Sequence, residues 1–224
     1  MKIVDCYLRA LQKAEENMTN GGIKLDKARF VQLFNDEQNR LVRYILDKKN
    51  EEDIRYIQKL VVYSKELDEK GDKDNPESTL VSVPSDFFSC SNISGVFTKG
   101  ECTVTDFTMW EAKNENVHEL LGDDNNRPSF DYRETFYTIG DGKVVVYEDG
   151  FRTDEVRMTY YRNPVRVDLA GYINAAGERS TDIDPELPDP LVEEILDMVA
   201  KQFNLNENEL QRYRFDKDNV ASFK

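Results

Sequence analysis

The apolar residues of this 224-residue chain change their period twice, and that change limits the fold more than any single motif. Up to about residue 67 they recur at three- and four-residue steps, the spacing of amphipathic helices. Between residues 79 and 167 they alternate, as in strands with one buried face. From residue 189 the helical spacing returns. Asp189 and Pro190 read as N-cap and first helical position, and Leu191, Val192, Ile195, Leu196, Val199 and Phe203 form a broad stripe.

The N-terminal part divides into three segments. Ile3, Tyr7, Leu8, Leu11 and Met18 share one face, and Asn20-Gly21-Gly22 closes that segment. Asp26 can cap a second helix whose stripe is Phe30, Val31, Phe34, Leu41, Val42, Ile45 and Leu46. A third begins near Asn50, with Ile54, Ile57, Leu60, Val61 and Leu67 as its apolar set. Asp68 to Pro76 is a polar stretch suited to a boundary. In the middle, Leu80–Val83, Glu134–Ile139, Lys143–Tyr147 and Glu155–Tyr161 read as strands, and Gly140-Asp141-Gly142 marks a hairpin.

These readings predict an α+β fold. Residues 1–67 supply three helices of an antiparallel bundle, residues 79–180 an inserted small antiparallel β domain, and residues 188–204 a returning fourth helix. Residues 205–224 form an extended C-terminal arm in which Tyr213, Arg214, Phe215 and Phe223 stand among Asn and charged residues. A terminus built of aromatic and arginine side chains is suited to docking on another surface.

Charge narrows the possible partners. The chain carries 30 basic and 44 acidic residues, net −14. Residues 79–187 alone hold 10 basic against 20 acidic, so the excess is concentrated in the β region. A surface that grips phosphate backbones needs the opposite sign, so specific nucleic-acid binding is not expected. Within that acidic region Arg157, Arg162 and Arg166 make a cationic patch suited to a contact between subunits. No apolar run approaches the roughly 20 residues of a membrane span. The N-terminal segment is interrupted by Asp5 and Arg9 and does not read as a signal peptide, and Cys6, Cys90 and Cys102 read as reduced thiols of a cytoplasmic product.

Catalytic and metal chemistry is sparsely supplied. His118 is the one histidine, and no nucleophile elbow, phosphate loop or dinucleotide pattern occurs. The carboxylate pairs Asp123-Asp124 and Asp182/Asp184 are the available raw material for a hydrolase or a calcium site. Against 44 acidic residues such pairs arise by chance, so no catalytic residue, metal or cofactor is assigned. A binding module for carbohydrate or peptide is the other reading, with Trp110, Tyr132 and Tyr147 as its exposed aromatics.

Three stretches are similar to the portal–tail adaptor, or ring, proteins of tailed bacteriophages, particularly those of crAss-like phages. They are Phe34-Asn-Asp-Glu-Gln-Asn-Arg-Leu-Val42, Met158-Thr-Tyr-Tyr-Arg-Asn-Pro-Val-Arg-Val167 and Ser180-Thr-Asp-Ile-Asp-Pro-Glu-Leu-Pro188. The resemblance implies a structural virion protein made in the host cytoplasm, with no enzymatic activity. It implies a helical bundle with an inserted β domain, closed into a ring of about twelve copies. It also implies a head-tail connector whose arm engages the portal protein or an adjacent copy, with further tail or ring proteins beyond. DNA would pass through the lumen without specific binding.

Overall fold

The computed structural model describes residues 1–16, 25–48, 51–67, 77–173 and 177–204. The chain divides into two units, one of Leu60–Asn163 and one formed by Met1–Lys59 with the chain from Pro164 onward.

Among the described residues the helical unit contains α1 (Ile3–Glu16), α2 (Lys27–Lys48), the six-residue α3 (Glu51–Tyr56) and a helix spanning residues 189–204. On α1 the buried face is Ile3, Cys6, Ala10 and Ala14, one step round from the expected stripe, and Leu8 is left 58% exposed. Small residues on that face let α1 lie close to its neighbours. Tyr7 meets Phe30 of α2 edge-on at 5.3 Å, and its hydroxyl donates to the Leu25 carbonyl at 2.8 Å. Lys13 pairs with Glu193 at 3.2 Å and also with Asp197, and Arg9 pairs with Glu193, so α1 is laced to the last helix by charge. All six apolar stripe residues of 189–204 are buried, and the Arg29 guanidinium lies 5.0 Å over the Phe203 ring. Asp189 accepts from the Met1 amine at 2.6 Å.

Among the described residues the β unit has eight strands: β1 (Val61–Glu66), β2 (Ser78–Ser82), β3 (Phe87–Lys99), β4 (Cys102–Val104), β5 (Thr108–Glu111), β6 (Glu134–Gly140), β7 (Lys143–Tyr147) and β8 (Arg152–Arg162). One sheet has the order β1-β8-β3-β4, all antiparallel, and the other β2-β7-β6-β5, in which β5 runs parallel to β6. A helix of one and a half turns, α4 (Val117–Gly122), lies between β5 and β6 in the chain. Val81, Tyr137, Val144 and Val146 of one sheet and Ile93, Phe97, Val156, Met158 and Tyr160 of the other share one apolar core, so the sheets are layered. Phe97, Phe107, Phe130 and Phe151 complete it as a ring cluster, with Phe97 stacked on Phe107 at 4.1 Å. The β6–β7 hairpin turns on Asp141 and Gly142, both at positive φ (50° and 68°), where a two-residue turn matches the twist of the strands.

The expected bundle of three N-terminal helices plus one C-terminal helix, carrying a small β insertion, is corrected by these findings. The molecule is sheet-rich, with two four-stranded sheets, and the third helix stops after six residues. Val61-Val62-Tyr63 then forms an edge strand, because β-branched and aromatic residues fit a pleated surface better than a helix. At the other end, β8 stops at Arg162 and Pro164 cannot donate to a ladder, so residues 164–188 leave the sheet and belong to the helical unit.

Candidate functional site

Among its described residues, segment 164–188 has as strand-type partners the isolated bridges Asp168↔Ile183 and Ile173↔Arg179. Its backbone groups must be satisfied by side chains. Three polar residues of α2 stand where its apolar stripe should continue, and all are buried: Asn35, Glu37 and Gln38. Asn35 Oδ1 accepts from the Val167 N–H at 2.9 Å, and its Nδ2 donates to the Val167 carbonyl at 3.1 Å and the Val31 carbonyl at 2.7 Å. Gln38 Nε2 donates to the Val165 carbonyl at 3.1 Å, while Glu186 accepts from the Val165 N–H at 2.6 Å. Glu37 is paired with Arg40 at 3.3 Å. The side chains of one helix thus take the place of a neighbouring strand.

The network continues along the segment. Asp168 accepts from the Leu169 N–H (2.9 Å), the Thr181 N–H (3.2 Å) and the Tyr172 hydroxyl (2.6 Å). Burial, and then this carboxylate, push the Tyr172 phenol up to about 12. Lys27 Nζ donates to the Ala170 carbonyl at 2.7 Å beside Gly171, where an added Cβ would lie 2.6 Å from that nitrogen. The lysine end could shift, but the φ of +112° is what requires glycine here.

The carboxylate pairs do not form catalytic pairs. Asp182 accepts from the Ala170 N–H at 2.7 Å and Asp184 from the Ile3 N–H at 2.8 Å, so the two serve different backbones on either side of Ile183. Asp123 accepts from the Asn125 N–H (3.0 Å) and the Asn126 amide (2.6 Å), and these bonds hold its carboxyl below the usual range. A carboxylate so stabilised is a turn former and a poor general acid. Asp124 pairs with Arg127 at 3.5 Å, and His118 is exposed on α4. Among the described residues no group of three or more His, Cys, Asp or Glu could hold a metal ion. Burial pushes the Cys6 and Cys90 thiols up to about 11 each, which keeps them protonated and unreactive at neutral pH.

Trp110 and Tyr147 flank the buried Phe136, with centroids 5.3 and 4.7 Å from its ring, while Tyr132 stands apart at 82% exposure. Arg157 pairs with Glu155 on its own strand, and Arg162 donates to the Asn163 carbonyl at 3.2 Å. Those two belong to the β unit and Arg166 to the helical unit. Tyr213, Arg214, Phe215 and Phe223 lie outside the described residues. Comparison with protein-family models finds no match, and comparison with curated proteins finds none. Among the described residues no helix is long and apolar enough to cross a membrane.

Sequence reasoning assigned no role to Asn35, Gln38 or Asp168. The signal for the first two was present: 31, 35, 38, 42 and 45 follow the same steps as the apolar stripe, so both amides interrupt a buried face.

Proposed function

We propose that this chain is a structural virion subunit that closes with copies of itself into a ring, joins the portal to the tail, and lets DNA pass through the lumen. One observation supports the reading above others. The three stretches that carry the resemblance, scattered between Phe34 and Pro188, share one hydrogen-bonded junction. Asn35 and Gln38 from the first hold Val165 and Val167 of the second, and Glu186 of the third caps the same Val165. The resemblance therefore rests on residues that the fold joins together. The net charge of −14 suits a wall past which DNA slides without adhering. Of the carboxylates offered by the rival hydrolase reading, Asp123, Asp182 and Asp184 accept from backbone N–H groups and Asp124 pairs with Arg127.

Rings close through heterologous contacts, in which one patch of a subunit meets a different patch of the next. Residues 205–224 supply such a patch by composition, with Tyr213, Arg214 and Phe215 as anchors and Phe223 beyond them. The test is to delete residues 206–224 and follow mass and circular dichroism with and without purified portal. The full chain joins the portal as a ring, whereas the truncated chain stays folded and does not. A full chain that never joins a portal, or a truncated one that unfolds, rejects the reading.

A further inference from the structure

The β unit carries a cavity of about 170 Å³ walled by the end of β1, by β2 and by β8. Thr79 and Thr153 both line it, and both hold the same buried carboxylate. Glu148 is 7% exposed, and its Oε1 accepts from the Thr79 hydroxyl at 2.6 Å and from the Thr153 N–H at 2.8 Å. No cation pairs with Glu148 among the described residues. Thr153 is 3% exposed, and its own Oγ1 has no partner in the described structure. Two costs of burial, an uncompensated charge and an unpaired hydroxyl, thus fall at one wall.

We propose that this cavity binds one alkali-metal cation, sodium or potassium. Its oxygens are of the kind that hard cations take. The Thr79 hydroxyl gives its proton to Glu148, so its oxygen keeps lone pairs to offer, and the unpartnered Thr153 hydroxyl offers two more. A single positive charge beside them balances Glu148. Water could pair with Thr153 but would leave that carboxylate uncompensated.

The remaining charges agree with a monovalent guest. Glu66, Asp154 and Glu155 line the cavity, and among the described residues no Lys or Arg does, Lys65 beside Glu66 included. Asp154 is already paired with Arg152 at 2.6 Å and accepts from the Thr98 hydroxyl. Glu155 is paired with Arg157, which also lies in the field of Glu66. Calcium takes about six to eight oxygens, several of them from carboxylates, and among the described residues no three acidic side chains converge to supply them. The volume admits an ion together with some of its waters. The cavity lies wholly within Leu60–Asn163, so it needs no second subunit.

The experiment is hydrogen exchange read by mass spectrometry on the full chain, in sodium, potassium or choline chloride at a matched ionic strength of about 0.15 M. Choline, a quaternary ammonium, supplies charge without a bare ion for oxygens to coordinate. Peptides spanning residues 78–82 and 152–156 are expected to exchange about three-fold more slowly in sodium or potassium than in choline, the protection given by a cation at about twice its Kd. Peptides of α2 are expected to be unchanged. Thr153→Val removes the oxygen at nearly constant shape and is expected to lose the cation effect, whereas Thr153→Ser is expected to keep it. In choline the valine variant should be at least as stable as the parent, since it deletes an unpartnered buried hydroxyl. Equal exchange in all three salts overturns the site, as does slowing spread evenly over the chain or a Thr153→Val protein that keeps the effect. The comparison of salts on the parent decides the matter even where a variant fails to fold.

Discussion

Asn35→Leu puts a larger apolar side chain on the apolar face of α2, and hydrophobic area alone would score it as stabilising. The geometry says the reverse. Asn35 satisfies both the N–H and the carbonyl of Val167, a residue 2% exposed in a segment without a strand partner there. The Val31 carbonyl sits within the helix ladder, so its contact with Asn35 is a second bond and its loss matters less. Leucine leaves two buried backbone groups unpaired and fills the space a water would need. At about 1–3 kcal/mol for each orphaned group, the loss is about 2–6 kcal/mol. Asn35→Ala costs less than Asn35→Leu, because the vacated volume can admit a bridging water.

Asn35→Asp separates hydrogen bonding from packing, since it is nearly isosteric. It keeps the acceptor for the Val167 N–H but turns a charged oxygen toward the Val31 and Val167 carbonyls. Burial and those carbonyls raise the folded-state pKa of the new carboxyl above its unfolded value of about 3.9. A raised folded pKa means the folded state holds its proton more tightly, so the penalty is full above the folded value and vanishes below about 3.9. Urea unfolding followed by far-ultraviolet circular dichroism reads all three variants. With a slope of about 2 kcal/mol per molar, Asn35→Leu moves the midpoint down by about 1–3 M. A leucine variant as stable as the parent, or an aspartate variant whose deficit is flat with pH, would refute the account of how α2 holds the segment.

The same packing fixes other outcomes. Gly95→Ala sets a Cβ 2.9 Å from both the Glu155 carbonyl oxygen and Phe97 Cζ, and should cost about 1–3 kcal/mol by overpacking, read from the fluorescence of the single Trp110. Glu148, buried, accepts from the Thr79 hydroxyl at 2.6 Å and the Thr153 N–H at 2.8 Å. Glu148→Leu should therefore cost about 2–4 kcal/mol, and parent-like stability would deny that role. At neutral pH a maleimide should label the exposed Cys102 first, the half-buried Cys90 more slowly, and the buried Cys6 only in denaturant. Because the Cys6 and Cys90 thiols rise from 9.0 to about 11 on folding, the unfolded thiols ionise first and stability falls as pH climbs through that interval. Equal labelling of all three cysteines in the native protein contradicts this.

The legible parts of the fold were those where one local cause acts alone. The stripe at 191–203 needs only the helical period, and the β6–β7 hairpin needs only Asp141 and Gly142 at positive φ. Residues 57–66 were ambiguous, because Ile57, Leu60 and Val61 satisfy the helical steps while Val61-Val62-Tyr63 prefers a strand. Pairing with β8 decided the matter, with Val61 opposite Tyr161 and Val62 opposite Tyr160. The 13-residue β3 was masked by small polar residues, since only Ile93, Val96 and Phe97 among 89–99 carry an aliphatic or aromatic side chain. Its strand character comes from β8, a partner about 60 residues away, and from the core it faces.

Segment 164–188 was misassigned for a related reason. Val165 and Val167 flank Arg166 with the alternation of a strand, yet Pro164 has no N–H, and Val167 takes its partner from a helix instead. Alternation records which side of an extended chain is buried and carries no information about what buries it. Asn35 and Gln38 hold the missing half of that information, because an amide is tolerated on a buried helix face only where a backbone needs it. Gln38 meets one carbonyl and leaves its own Oε1 without a partner in the described structure, whereas Asn35 matches both groups of one residue. The unequal satisfaction makes Asn35 the register pin and Gln38 the weaker contact. Gln38→Leu, which deletes a partnerless buried oxygen with its single donated bond, should accordingly cost less than Asn35→Leu.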